Sequence, residues 1–383
     1  MIYLDNSATT KPYPEVLETF QKTAAHYFAN PSSIHSKGNE VERLLLQARK
    51  LISEMLYVSP QEILFTSGGT EGNNLAIKGI ALKHQSRGKH IITTSVEHPS
   101  TYESFLQLES LGFDVTYLPV DTKGRVSIEE LEKALQDDTI LVSVLHVNNE
   151  TGTIQPVEEI GRFLKNYPKI FFHVDYVQGA AKVPLNIKGA NIDLCTISGH
   201  KVHGLKGTGI LYIREGVSLS PLFTGGEQEF NKRAGTENVP GIASLAKALR
   251  LSFERSKDGR EHLQSLKELL FHELSNIEGI VINTPMDVSA PHILNFSVLE
   301  TKPEVLIHAL EEENIYISTK SACSSKEVGA SRVLLAMGMS EERAASALRV
   351  SMSFETTREE IMIFIKTLKE VVIQLRLVMK GAR

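Results

Sequence analysis

The sequence predicts an α/β chain: a large domain with a mostly parallel seven-stranded sheet covered by helices, and a smaller α+β domain. Two patterns predict it. Between residues 63 and 213, short apolar runs alternate with amphipathic stretches. The runs are continuously apolar, as strands buried on both faces are, rather than alternating in polarity. Past residue 240 that regularity stops, and long helical stretches mix with short strands. A chain of 383 residues is long enough for two domains, and 42% hydrophobic with 23% charged residues suits an ordinary globular protein.

The seven strand candidates are 63–65, 90–92, 115–120, 140–147, 170–174, 192–197 and 209–213, each rich in Ile, Val, Leu or Phe. Between them, Ile128-Leu131-Leu135 and Val157-Ile160-Leu164 repeat at helical spacing. Beyond them, 240–255 and 263–274 read as two helices separated by the polar stretch 256–260. Short strands follow at 281–282, 293–298, 315–317 and 348–352. A last helix begins at Arg358, with Ile361, Phe364, Ile365, Leu368, Val372 and Leu375 on one face. The expected division is a large domain over 15–256 and a small one formed by 1–14 and 257–383.

Composition excludes several functions. A net charge of -5 offers no footprint for nucleic acid. No apolar run approaches the ~20 residues of a membrane span. Met1 to Asp5 carries no basic stretch leading into a long apolar one, so no secretory signal is expected. Two cysteines, Cys195 and Cys323, give no disulfide framework. A reducing, cytoplasmic location is expected.

Lys201 lies in Ser198-Gly199-His200-Lys201, directly after an apolar run, and Asp175 ends the run before it. An amine and a carboxylate delivered from neighbouring strand ends are what pyridoxal phosphate requires. The lysine condenses with its aldehyde, and the carboxylate keeps its ring nitrogen protonated. Asp175 could equally cap the next helix. The turn Thr66 to Asn74 follows a strand and opens a helix, so Gly69 and Thr70 could cradle a phosphate; a plain turn with Thr70 as N-cap fits as well. Ser198 and His200 are further phosphate candidates, and so is Thr236 on a Gly-flanked loop. A nucleotide phosphate loop around Lys206 lacks the Gly-Lys-Ser/Thr order. His98 could stack on the ring or merely cap a helix. Gln178 and Asn149 could reach the ring oxygen. Arg349, on a strand candidate, could hold a substrate carboxylate or lie on the surface. Cys323 falls in a small, polar, Gly-ended stretch suited to a reactive thiol or a passive one; Cys195 reads as a buried strand residue.

Taken in order, these segments resemble the cysteine desulfurases, pyridoxal-phosphate enzymes of the class V aminotransferase, fold type I, group. The resemblance also runs through Tyr3 to Thr10, Asn30 to His35, Gly225 to Glu229 and Ser321-Ala322-Cys323, and so covers essentially the whole chain. It implies that Lys201 holds the cofactor and moves protons. Asp175 would pair with the ring nitrogen and Gln178 with the phenolic oxygen, while His98 stacks on the ring. Gly69, Thr70, Ser198 and His200 would bind the phosphate, with Thr236 coming from the partner of a homodimer. Arg349 and Asn149 would hold the carboxylate of L-cysteine. Cys323 would take the sulfur as a persulfide, leave alanine, and pass sulfur to an acceptor protein for iron–sulfur cluster assembly or for thiolation of tRNA or cofactors. The stretch around Cys323 is similar to the subgroup with the longer cysteine loop. No resident metal is implied, only a transient contact of Cys323 with an iron–sulfur cluster left open, and no membrane or direct nucleic-acid partner. A selenocysteine lyase or transaminase on the same scaffold is the rival reading; a retained Cys323 disfavours the transaminase. Two positions depart from many relatives: Tyr176 after the aspartate, and Phe230 after Gln228-Glu229. Either could alter the pocket wall or the acceptor surface.

Overall fold

The computed structural model describes residues 1–319 and 329–381. Strand β1 (Ile2–Tyr3) and helices α1 (Pro14–His26) and α2 (Ser36–Leu56) come first. The large sheet and its helices follow as β2 (Ile63–Thr66), α3 (Gly69–His84), β3 (His90–Thr94), α4 (Pro99–Ser110), β4 (Asp114–Leu118), α5 (Ile128–Ala134), β5 (Thr139–Leu145), α6 (Val157–Leu164), β6 (Phe171–Asp175), β7 (Leu194–Ser198) and β8 (Gly209–Ile213). A short turn, α7 (Gln228–Asn231), and the long helix α8 (Val239–Ser275) lead to β9 (Ile280–Ile282), β10 (Ile293–Val298), α9 (Pro303–Glu312), β11 (Ile315–Tyr316), α10 (Arg332–Ala336), α11 (Glu341–Ala345), β12 (Ala347–Ser351) and α12 (Arg358–Gly381).

The seven strands predicted from the apolar runs form one sheet in the order β2-β8-β7-β6-β5-β3-β4. Five of them, β7 through β4, pair in parallel, and β8 runs antiparallel to both of its neighbours. The connection from β7 to β8 explains that reversal: it is too short for the helical crossover a parallel neighbour needs, and Gly207, at φ +77°, helps turn the chain back. Both faces are buried. Val142 and Val144 of β5 pack into a core with α2, α6 and the first half of α8, whereas Leu141 packs with α3 and α4 on the other side. A second sheet, β12-β10-β9, is antiparallel and packs on a separate core of Leu294, Phe296, Leu348, Val350 and α12.

The expected break at 256–260 is not there. Helix α8 runs through it unbroken, with Arg260 Nε donating to the Ser256 carbonyl one turn back. Its first half (Ile242, Leu245, Leu249) belongs to the large core and its second (Leu263, Leu266, Leu270, Leu274) to the small one. At the turn between, the inward positions are taken by Ser256, which is buried, and Gly259 rather than by large apolar side chains, so the apolar stripe lapses without the helix ending. Gly259 fits here because a Cβ would lie 2.5 Å from the Phe354 ring.

Residues 2–10 stitch the two cores together. Strand β1 pairs with β11, Asn6 N donates to the Ser351 carbonyl, and Thr10 N donates to the carbonyl of His200. Close packing also fixes the approach to β7: a Cβ on Gly161 of α6 would stand 1.8 Å from the Ala190 carbonyl oxygen. Backbone cannot give way as a side chain can, so Gly161→Ala should lower stability by about 1–3 kcal/mol. Urea unfolding of the variant against the parent checks this; equal midpoints and slopes would contradict it.

Candidate active site

A cavity of about 500 Å³ opens where β6 and β7 end. Ligands collect at this edge in parallel sheets because strand ends and helix starts converge there. Gly69, Thr70, His98, Asn149, Asp175, Gln178, Ser198, His200, Lys201 and Arg349 all line it. The structure thus brings together every candidate in the described residues except Thr236. That residue lines a smaller neighbouring cavity of about 220 Å³, which shares Ser67 and Gly207 with the first. Cys323 lies outside the described residues.

Helix α3 starts at the cavity without a side-chain cap. Its N-cap is Gly68, not Thr70, so the plain capped-turn alternative is set aside. Gly68 stands at φ +153° and ψ -174°, a conformation that disfavours any side chain. Gly72 lets the helix settle on β7, because a Cβ would meet Thr196 Cγ2 at 2.7 Å. The first-turn N–H groups of a helix this long attract an anion.

Asp175 is buried at the end of β6. One carboxylate oxygen accepts from Val177 N at 3.0 Å and the other from Asn73 Nδ2 at 2.7 Å. Burial pushes its carboxyl up from the usual range, while the two hydrogen bonds and the Lys201 ammonium pull it back. The ring nitrogen of pyridoxal phosphate would add a cation where burial most disfavours the lone anion. Lys201 Nζ donates to the carbonyls of Ser7 and Ala8, the latter at 2.9 Å, and Gln178 Nε2 donates to the Ser7 carbonyl at 3.0 Å. His98 both caps α4 and faces the cavity: its Nδ1 accepts from Ser100 N at 3.1 Å and lies 2.8 Å from Ser100 Oγ. Burial, then the charges of Lys201, His200 and Arg332, hold the His98 imidazole down at about 4, so it is neutral at pH 7. His200 is likewise held at about 4, by burial and then Lys201.

Arg349 is no surface arginine. It is 1% exposed, and its fork is already engaged: Nη2 donates to Asp5 Oδ1 at 2.8 Å and Nη1 to the Asn149 carbonyl at 2.9 Å. Its Nε is buried and unpartnered among the described residues, as are Ser7 Oγ and Asn73 Oδ1. An uncapped helix start, a buried carboxylate beside an amine, and polar atoms awaiting partners make this a pocket that pyridoxal phosphate and an amino acid fit. Cys195 is no nucleophile here, because burial raises its thiol well above the usual range.

Several participants escaped the sequence reading. Asn73, three residues after Thr70 and so on the same face of α3, holds Asp175. Ser100 orients His98, and Asp5 holds Arg349. Lys206 lines the cavity too, although it entered the sequence argument only through a rejected phosphate loop. Of the two departures, Tyr176 does not form the pocket wall: it is buried in the large core, with its hydroxyl donating to the Val183 carbonyl. Phe230 is 46% exposed, its ring 5.0 Å from the Arg49 guanidinium, which pairs with Glu229.

One group below the cavity ties strand ends together. Glu97 is fully buried; Oε1 accepts from Leu145 N and Thr94 Oγ1, and Oε2 has no partner among the described residues. Burial pushes its carboxyl up to about 8. In the unfolded chain it ionises near ~4.3. The native state therefore holds a proton the unfolded state releases, and this contribution to stability is complete below ~4.3 and lost as pH rises through about 8. Glu97→Gln should gain on the parent by roughly a few kcal/mol between pH 4 and pH 8. Urea melts at pH 4, 6 and 8 read this, and a gap independent of pH would contradict it.

Comparison with known proteins adds a second line. The family model for aminotransferase class-V matches residues 2–364. A relative from Lactobacillus delbrueckii subsp. bulgaricus, described as a NifS/IcsS protein homolog, is 46% identical over 97% of this chain and 97% of its own. A cysteine desulfurase IscS from Dictyoglomus turgidum is 42% identical over 98% and 95%. Among solved structures, a NifS-like protein superposes with a TM-score of 0.92 at 39% identity, covering 97% of this chain and 99% of the other.

Proposed function

We propose, because the chain belongs to the aminotransferase class-V family, that it is a pyridoxal-phosphate-dependent cysteine desulfurase. It converts L-cysteine to L-alanine and transfers the sulfur to acceptor proteins for iron–sulfur cluster assembly. Thiolation pathways for tRNA or cofactors are a second destination for the same sulfur. The observation that supports this reading most is the meeting of Lys201, Asp175 and the uncapped start of α3 in one cavity.

The cofactor supplies an aldehyde that condenses with amines and a cationic ring that accepts an electron pair. The protein's residues do the rest. The α3 N–H groups with Thr70, Ser198 and His200 would hold the phosphate. Asp175, fixed by Asn73, would keep the proton on the ring nitrogen, and neutral His98 would lie against the ring. Gln178 would serve the phenolic oxygen. Lys201, surrounded by carbonyls, carries protons to and from the substrate Cα. Arg349 and Asn149 orient the substrate carboxylate, with Asp5 setting the direction of the fork. The Cys323 thiolate then forms an S–S bond to the substrate sulfur as the Cβ–S bond breaks. The electron pair goes to Cβ, which takes up a proton and ends as the methyl group of alanine. Sulfur remains on Cys323 as a persulfide.

A homodimer completes the proposal, with Thr236 reaching the partner's phosphate site. Phe28 (80% exposed) and Ile34 (98% exposed), both between α1 and α2, fit a surface that a second subunit covers. Among the described residues no helix is long and apolar enough to cross a membrane, and a cytoplasmic location suits a thiol that must stay reduced.

Cys323→Ala should keep its bound cofactor and its visible absorption but release no sulfide from cysteine; full activity would overturn the persulfide role. Lys201→Ala should leave no borohydride-reducible link between cofactor and protein, and a persistent link would count against the assignment of that amine.

A further inference from the structure

We propose that Arg332 is a positioning residue of this active site, a clamp that brackets His98 from both sides in sequence. The proposal rests on the desulfurase reading above, which gives His98 its place on the ring.

Three consecutive carbonyls precede His98, those of Ser95, Val96 and Glu97, and each is held by a side chain. Arg332 takes two of them: Nη1 donates to Ser95 O at 3.2 Å and Nη2 to Glu97 O at 2.6 Å. Asn148 Nδ2 takes the third, at 3.0 Å from Val96 O. On the far side of His98, the same guanidinium lies 3.8 Å over the ring of Tyr102 in α4. A planar cation with forked donors can hold two carbonyls and lay its flat face on an aromatic ring together; an ammonium can donate to carbonyls but has no plane to stack. Arg332 is the first residue of α10, and its neighbour Ser331 is fixed in turn, with Oγ donating to Glu150 Oε2 at 2.5 Å. Val333 and Leu334 pack against Val96 and Leu145. The clamp is therefore anchored in the chain that follows the Cys323 stretch and acts on the turn bearing His98. Displacing a positioned group by about 1 Å can cost about a hundredfold in rate, so the geometry of this turn matters.

Arg332→Ala in the cofactor-loaded enzyme tests this. The amides of Thr101 and Tyr102 both donate to the His98 carbonyl and report on the turn directly. We expect kcat for alanine release to fall at least tenfold with KM for cysteine changed less than threefold. The visible circular dichroism of the bound cofactor should weaken, and hydrogen exchange over residues 95–106 should quicken while exchange elsewhere is unchanged. Arg332→Lys should recover only a minor part of kcat. A variant with kcat within twofold of the parent and unaltered exchange would overturn the proposal. If Arg332→Ala fails to fold, Arg332→Gln carries the same test by the same criteria. Should the parent itself release no alanine from cysteine, the desulfurase reading fails, while exchange over 95–106 still decides whether Arg332 holds the turn.

Discussion

A buried carboxylate at the end of a strand is the constraint around which the rest of this molecule is arranged. Asp175 sits where solvent cannot compensate its charge, so other groups must. Val177 N–H and the Asn73 amide each take one oxygen, and the Lys201 ammonium lies close enough to favour the anion. Each of those groups comes from a different element: the turn after β6, helix α3, and the turn after β7. The parallel order of β6 and β7 puts their ends side by side, and the lack of a Cβ on Gly72 lets α3 come close enough for Asn73 to reach. Sheet order, helix packing and electrostatics are thus one requirement seen at three scales.

A second set of contacts does for the substrate side what Asn73 does for the cofactor side. Arg349 is buried and would be costly there alone. Asp5 supplies the opposite charge and the Asn149 carbonyl an acceptor, so the guanidinium is oriented before any ligand arrives. Such preorganisation leaves little to be ordered on binding. Farther out, Arg49 and Glu229 make a buried pair that also holds Phe65 N. It supports a turn in which Glu229, Phe230 and Asn231 all have positive φ, a costly conformation that persists only where its surroundings insist on it.

Much of this was legible in the sequence, for a local reason. Strands and helices announce themselves by periodicity, and all seven large-sheet strands were found that way. Lys201 and Asp175 were legible because Asp175 ends an apolar run and Lys201 lies within a few residues of the end of the next, and a strand end is a place in space as well as in sequence. What stayed hidden depends on distant partners. Nothing near Asn73 or Asp5 in the chain reveals Asp175 or Arg349. The continuity of α8 was masked because a helix crossing from one core to another needs no apolar residue at the crossing, and Gly259 there looked like a break rather than a seat for Phe354. Tyr176 seemed a change in the pocket because it adjoins Asp175, but successive residues around a strand end point to different sides, and its ring belongs to the core.

The stitch made by residues 2–10 has a consequence for how the protein is born. The carbonyls that receive the Lys201 amine leave the ribosome early, yet β1 can pair only with β11, and Asn6 only with Ser351, both translated near the end. The large sheet can form while synthesis continues, and Thr10 can already dock on His200, but the leading segment gains its second set of anchors, on β11 and Ser351, only when the last strands emerge. A nascent chain stalled before residue 315 would be largely folded and chemically unfinished.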